Sequence, residues 1–520
     1  MPNIALAQDG AQHAGAWSLL APLVAIGLAV VSRRVVPSLG VGVVVAAVVA
    51  AGGDPVQAGL GVFTLARDAL VDADHLQVSA FTVLVAAAVG ILTATQAMRA
   101  MVERIEGLAR NRRGAMVVTW LSGAVIFFDD YANCLVVGNT MQSVVDRFRV
   151  SRAKLAYIVD ATAAPVASLA VVSTWVAFQV DEIAKGLGEA ASGDAFAVFL
   201  ASLPYSFYCW FTLVFVGAIA ITGRDFGPMR TAESQALGKA HAVDEAKTTV
   251  AAWMAPVTIG ALVISTFAWM WHTGTQSLGD AAAGARLFEI LGAADAYGSM
   301  ILGGIVATVV AVITTLATRA VTVGGLPRAA WVGVKPVTHA LVILFMAWTL
   351  SAAISATGAG AYLEGVVQGS LDARWLPLVS FLVAALTAFA TGSSFSAMGI
   401  LIPVVVGIAG ALTGDAMSPV ALACTASILS GACLGDHASP ISDTTVLSSI
   451  GAGVDLVTHV RTQLPYVLSV GVISAVFGYL PAGFGVPPVL LLLVGSALCV
   501  AVVFVLGRVP EPSAPLESAR

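Results

Sequence analysis

RAMVERIEGLARNRRGAMVVTWLSGAVIFFDDYANCLVVGNTMQSVVDRFRVSRAK (99–154) is the stretch on which the topology turns. Its centre, 114–145, is 32 residues long and apolar apart from Asp129, Asp130 and scattered small polar side chains. On one side stands RAMVERIEGLARNRR (99–113), on the other DRFRVSRAK (146–154), and both are basic. Basic loops stay in the cytoplasm. The stretch therefore has to enter and leave on the same side, as a re-entrant helical hairpin with Asp129 and Asp130 at its tip. A plain extracellular turn between two crossings would also place two acids there, but it gives no reason for both flanks to be basic.

Composition places the hairpin in a membrane. The chain has 520 residues, 58% of them hydrophobic and 11% charged, with a mean hydropathy of +0.92. Apolar runs of roughly 20 residues, enough to cross about 30 Å of hydrocarbon as a helix, recur at 16–32, 35–53, 76–98, 155–180, 195–222, 249–271, 298–318, 338–357, 418–450, 463–481 and 483–507. The period-two alternation of a membrane β-barrel is absent. A second irregular stretch, 375–413, falls between two outside segments and should dip in from the opposite face, with TGSSFS (391–396) at its tip. In this arrangement 21 of the 25 Lys and Arg residues lie inside and 4 outside, as orientation by positive charge requires. The five cysteines are scattered in apolar runs and suggest neither a disulfide frame nor a zinc site.

The expected fold is an all-α polytopic membrane protein. It is an inverted-repeat transporter with two opposed re-entrant helical hairpins, two broken transmembrane helices and about 11 crossings. Residues 1–15 form an extracytoplasmic N-terminal segment and 16–222 the first repeat, with hairpin 114–145 and broken helix 155–180. A cytoplasmic linker, 223–248, leads to the second repeat, 249–481, with hairpin 375–413 and broken helix 418–450. An extra C-terminal helix (482–507) and a cytoplasmic tail (508–520) follow. The N-terminus lacks the pattern of a cleaved signal, so the first crossing is expected to be retained.

The polar breaks carry the chemistry. In GDHASPISDTT (435–445), Pro440 removes a backbone donor and should interrupt the helix. Pro165, in ATAAPVASL (161–169), should do the same to 155–180 and expose Asp160, Thr162 and Ser168. Carbonyls, carboxylates and hydroxyls converging there make a hard-oxygen site suited to a small alkali cation. An ionised Asp at mid-membrane costs a few kcal/mol even on the mildest scale. Burial favours the protonated acid and a bound cation favours the charged one. One carboxyl can thus hold a proton or a metal ion but not both, the minimal chemistry of a cation/proton exchanger. The bland alternatives are that Asp436 only caps a half-helix and His437 only bonds a carbonyl.

FFDDYANCLVVGNTMQSVVDRFRVSRAKLAYIVDATAAPVA (127–167) together with GDHASPISDTTVLSS (435–449) closely resembles the NhaC-type sodium/proton antiporters of the ion transporter superfamily. The resemblance implies a scaffold domain and a transport domain, a homodimer, alternating access, and sodium near the hairpin tips and breaks. Carried onto this chain, the cation- and proton-binding residues are Asp129, Asp130, Asn133, Asp160, Thr162, Asp436, Ser439, Ser442, Asp443 and Thr444, with Na+ itself at Asp129, Asp436 and Asp443. Thr391, Gly392, Ser393, Ser394 and His437 fall at the second hairpin tip or the substrate side, and Pro165 and Pro440 are the helix breakers. No cofactor is expected beyond the transported Na+ and H+, and no nucleic acid partner. The expected location is the cytoplasmic membrane of a bacterium, with the N-terminus outside and the C-terminus in the cytoplasm.

The same family includes exchangers of organic anions and amino acids, such as malate/lactate carriers. A sodium- or proton-coupled carrier of a small carboxylate or amino acid is therefore the alternative function. Lys and Arg are absent from the hydrophobic part of every predicted crossing, which makes a small cation the simpler cargo. Two membrane aspartates, with CLGD at 433–436, also loosely resemble an intramembrane aspartyl protease. The Asp-Asp-Tyr order and the proline break fit a carrier better, so no enzymatic activity is expected.

Overall fold

The computed structural model describes residues 15–32, 35–106, 109–188, 195–238, 252–285, 287–358, 372–440 and 442–512. Within these the chain is helical, joined by turns and short 3-10 segments. One isolated antiparallel bridge, between Asp225 and Arg508, is the only extended pairing among the described residues. Seven of the described helices are long and apolar enough to cross a bilayer, and nine spans result if each bent pair counts as one. All five cysteines are buried and unbridged.

The N-terminal part contains α1 (Leu20–Ser32), α2 (Val35–Ala50), α3 (Pro55–Val71), α4 (Ala73–Ala94) and α5 (Ala97–Glu106). The sequence reading has no counterpart of α3. Its start is nonetheless marked: the Asp54 side chain accepts from Val56 and Gln57 N–H groups, and Pro55 fills the first turn.

The 114–145 stretch forms two helices, α6 (Arg112–Val125) and α7 (Asp130–Arg147), separated by residues 126–129. Asn111 caps α6 by accepting from the Gly114 N–H. The acids predicted at the tip stand at the break and at the start of α7.

Next come α8 (Arg152–Leu169) and α9 (Thr174–Leu187), bent by 49°. Here one expectation is corrected. Pro165 does not break the helix: α8 continues through it to Leu169 and breaks over 170–173. A proline this close to a helix end removes one intrahelical hydrogen bond, and Ala170 N–H still reaches the Val166 carbonyl. The new start at α9 comes from Ser173, whose hydroxyl accepts from Val176 N–H. A second correction concerns 195–222, read as one crossing. It is α10 (Ala195–Ser202), a 3-10 turn containing Pro204, and α11 (Phe207–Thr222), bent by 45° at Ser206.

After α12 (Gly227–Leu237) the described chain resumes with α13 (Met254–Leu278), α14 (Leu287–Gly292), α15 (Ala296–Ala317) and the 31-residue α16 (Leu326–Ala356). The 375–413 stretch is α17 (Leu376–Thr391) and α18 (Ser394–Thr413). Between them Gly392 takes a left-handed φ of 68° and Ser393 caps α18 by accepting from Ser396 N–H. Pro440 behaves as predicted: α19 (Pro419–Ala438) ends before it and α20 (Asp443–Ala452) starts after it, capped by Ser442. The chain closes with α21 (Leu456–Ile473), a π-helical segment (Ser474–Tyr479), α22 (Leu480–Gly483) and α23 (Pro488–Leu506). Most of the expected N-terminal segment (1–15), part of the linker (239–248) and most of the tail (508–520) lie outside the described residues.

Two groups of contacts position the site. In one, α4 packs on α15 and α16, and α13 on α15. In the other, α7 packs on α8 and α20, α6 on α8 and α11, and α17 against α19. The α17–α19 contact depends on Gly435, where a Cβ would run into the Ala385 carbonyl oxygen and lie 2.6 Å from the Phe389 nitrogen. These are backbone atoms and cannot swing away. Gly435→Val should therefore destabilise the protein by more than the roughly 1–3 kcal/mol usual for overpacking. Thermal melting of the detergent-solubilised protein measures it, and an unchanged midpoint would mean that the two helices do not pack this closely.

Candidate ion-binding site at the helix breaks

Asp160, in the middle of α8, is fully buried. Its carboxylate meets one face of α20 and one face of α21. Thr445 Oγ1 lies 3.2 Å from Oδ2 and Ser448 Oγ 3.3 Å from Oδ1, both as donors. Gln463 Nε2 donates to Oδ2 at 3.0 Å, and His459 Nε2 stands 3.3 Å from the same oxygen. Each pair arises from helical spacing: Thr445 and Ser448 are three apart, His459 and Gln463 four apart, so each pair shares a face. The Ser442 cap, which accepts from Thr445 N–H, sets the register of α20.

Asp436 sits in the last turn of α19 and is also buried. Its Oδ2 accepts from Thr444 Oγ1 at 2.8 Å, and the Ser442 and Thr444 hydroxyls lie 3.2 Å apart. Two groups join the Asp436 break to Asp160. The single hydroxyl proton of Thr445 faces both Asp160 Oδ2 and the Asp436 carbonyl, the latter at 3.3 Å. The Gln463 amide donates to Asp160 and, at 2.7 Å, to the His437 carbonyl. His437 itself is hydrogen-bonded through Nδ1 to the Tyr208 hydroxyl at 3.0 Å. The α17–α18 tip is held to this break: Ser439 Oγ donates to the Phe389 carbonyl at 2.8 Å and Ser394 Oγ to the Ala432 carbonyl at 3.2 Å.

The α6–α7 tip meets the other break. Asp129 and Asp130 are both buried. Thr174 N–H donates to the Phe128 carbonyl at 3.1 Å, and Thr174 Oγ1 lies 3.5 Å from Asp129 Oδ2. Asn133 Nδ2 faces three carbonyls, of Gly123 (2.7 Å), Ile126 (3.1 Å) and Thr162 (3.3 Å). These contacts fix the amide orientation and leave Oδ1 buried with no partner among the described residues. Thr162 is not exposed by a break, as expected, but lies inside the intact α8 with its hydroxyl donating to Ile158 O at 2.8 Å. The side chains of Asp443 and Thr391 lie outside the described residues.

The structure thus joins Asp160, Asp436, Ser442 and Thr444 around one break, and Asp129 and Asn133 at the other. Sequence reasoning missed Thr445, Ser448, His459 and Gln463 as ligands of Asp160, along with Tyr208. The available signal was a pair of polar residues four apart on an otherwise apolar helix. It also took Lys154, in the basic flank 146–154, as a loop charge. Lys154 is fully buried in α8 and paired with Asp225, and Lys185, in α9, pairs with Asp181 (2.7 Å) and Glu182 (2.9 Å). No group of three or more His, Cys, Asp and Glu side chains among the described residues is arranged to hold a metal ion. Hydroxyl and carbonyl oxygens would have to complete the shell of any cation held here.

The chain has counterparts among known proteins. Residues 166–484 match the Na+/H+ antiporter family. An uncharacterized protein of Haemophilus influenzae is 33% identical over 484 residues, which is 90% of this chain and 91% of that one. The chain belongs to the Na+/H+ antiporter family. Another antiporter of this kind, the Na+/H+ antiporter NhaC of Alkalihalophilus pseudofirmus, is 32% identical over 136 residues, 26% of this chain and 27% of that one. Among solved structures, the YdaH transporter of Alcanivorax borkumensis shares the fold, with a TM-score of 0.52 at 18% identity over 81% of this chain and 91% of that one. This member of the antiporter family is accordingly an integral membrane protein and a secondary transporter, not an enzyme. The family match takes in Asp436, Thr444, Thr445 and Gln463, while Asp129 and Asp160 precede it.

Proposed function

We propose that the protein exchanges Na+ for H+ across a bacterial cytoplasmic membrane by alternating access. The observation that carries this reading is the setting of Asp160. It is fully buried among hydroxyls, an amide and a histidine, and no Lys or Arg pairs with it among the described residues. With no Lys or Arg beside it, and His459 the one neighbour that could carry a charge, this buried carboxylate suits a partner that arrives and leaves. A proton and a small monovalent cation both serve and exclude each other. Asn133 Oδ1, a buried acceptor with no partner among the described residues, adds an oxygen that suits a cation and repels a carboxylate.

The same order of elements occurs twice: a helix pair with a polar break, a broken helix, then an interrupted helix. It supports the reading of 16–222 and 249–481 as inverted repeats with about 11 crossings, and of α6–α7 and α17–α18 as opposed re-entrant hairpins. In that reading α6–α9 and α17–α20 belong to the moving body, and α4, α13, α15 and α16 to the scaffold through which a homodimer forms. The N-terminus lies outside and the C-terminus in the cytoplasm. Na+ sits between the breaks, at Asp436, Thr444 and Asp160 on one side and Asp129, Asp130 and Asn133 on the other, with Ser439, Ser442 and Asp443 beside it.

Everted membrane vesicles containing the protein test the exchange. Adding NaCl to vesicles with an imposed proton gradient should move protons outward from the lumen. Silence at every pH, with the protein shown to be inserted, would refute Na+/H+ exchange.

A further inference from the structure

A cleft opens beside Asp129. It offers about 90 Å³ to the centres of water-sized molecules, where one water needs roughly 10–15 Å³. It is therefore several waters in size, far more than a dehydrated sodium ion fills. The outer wall is made by α4 and α16, which cross where Gly90 and Gly333 meet. A Cβ on Gly90 would lie 2.6 Å from the Gly333 nitrogen, so both positions have to stay bare for the two helices to cross this closely beside the cleft. Val89, Val332 and Val337 line that wall, and Val136, Tyr131 and Asp129 face it from α7 and the tip. At the rim Val332 is 54% exposed, so the cleft lies at the edge of the protein. Asp129 is the only charged side chain that lines it.

We propose that this cleft binds a small organic monocation, with its ammonium on Asp129 and its alkyl stem between the valines. The inference rests on the reading of Asp129 as a cation-binding residue and names a second class of ligand for it. Three features exclude the alternatives. A bare alkali ion needs several hard oxygens around it, and besides Asp129 the lining offers side-chain oxygens only at Thr93 and Tyr131, among valines, alanine and glycines. A small carboxylate would meet Asp129 with like charge and find no Lys, Arg or His in the lining. A neutral alcohol of the same size gains the apolar wall but not the charge. Because the ammonium and Na+ would share Asp129, such a cation competes with sodium.

Three compounds with one stem and different heads decide the matter: n-butylammonium, n-butyrate and n-butanol, added to the purified full-length protein in detergent. Butylammonium is expected to raise the thermal midpoint saturably, as a ligand of the folded state must. It should also raise several-fold the NaCl concentration that gives half-maximal stabilisation. Butyrate and butanol should do neither. Val89→Phe, shown to be folded by its own cooperative melt, narrows the cleft and should lose the butylammonium shift, and Asp129→Asn should lose it as well. The wild-type series stands by itself if a variant fails to fold. Equal stabilisation by all three compounds, or by butyrate alone, overturns the proposal. So does the absence of any butylammonium effect where NaCl still stabilises, a result that leaves Na+/H+ exchange intact. Absence of any response to NaCl, in melting and in vesicles alike, would refute the exchange reading instead.

Discussion

Asp160→Asn is expected to stop Na+-driven proton movement while leaving the protein inserted in the membrane. The substitution keeps the shape of the side chain and removes both the charge and one acceptor. In the native arrangement the carboxylate accepts from Thr445, Ser448 and Gln463 and stands 3.3 Å from His459. An amide cannot accept at the nitrogen it puts in place of one oxygen, so at least one of these donors loses its partner. Hydrogen bonds to a charged group are worth about 1.5–3 kcal/mol each, so the substituted site loses at least that much of the interaction that orders it. More fundamentally, a neutral amide neither titrates nor attracts a cation. The vesicle assay measures the loss. Exchange at the wild-type rate in Asp160→Asn would remove Asp160 from the transport site.

The largest effect on stability is expected from Lys154→Met. Lys154 and Asp225 are both buried and form an ion pair, and the Tyr466 hydroxyl donates to Asp225 Oδ1 at 2.7 Å. Asp225 also holds the C-terminal chain: its backbone N–H donates to Arg508 O at 2.9 Å, and Arg508 N–H donates back at 3.0 Å. Nearby, Glu233 accepts from Ser151 N–H at 2.7 Å and from Arg112. Removing one partner of a buried pair costs about 3–5 kcal/mol, because the other charge is left uncompensated. The single substitution should therefore lower the melting midpoint sharply. Replacing both residues, as Lys154→Met with Asp225→Leu, should recover most of that loss, since a buried pair exchanged for apolar side chains is often close to neutral. If the single and double variants melt alike, the pair does not carry the charge balance inferred here.

Particular residues mark what could be read in advance. Asp129, Asp130, Asp160 and Asp436 stood out because a charge in an apolar run needs a reason, and the basic flanks of 114–145 gave the position of the α6–α7 break. Pro440 announced its break because a proline at that point removes a donor and crowds the preceding turn. Pro165 misled by the same logic: one proline near a helix end is tolerated, and the actual break, at Ala170, Val171, Val172 and Ser173, carries neither proline nor glycine. Only the Ser173 cap marks it.

The ligands of Asp160 were hidden for a different reason. Hydroxyls in membrane helices commonly bond their own backbone, as those of Thr162 and Thr425 do here. Nothing local distinguishes them from Thr445 and Ser448, which packing of α20 against α8 turns toward a carboxylate. Lys154 was equally opaque, because its partner lies 71 positions away in sequence.

Mutual exclusion of sodium and proton at the buried carboxylates is tested most directly by proton release from the purified protein. NaCl is added to a weakly buffered detergent solution while pH and bound sodium are followed together. Sodium uptake should be accompanied by release of protons, and both should vanish in Asp160→Asn. Sodium that binds without releasing a proton over the whole pH range would contradict exchange at a shared site.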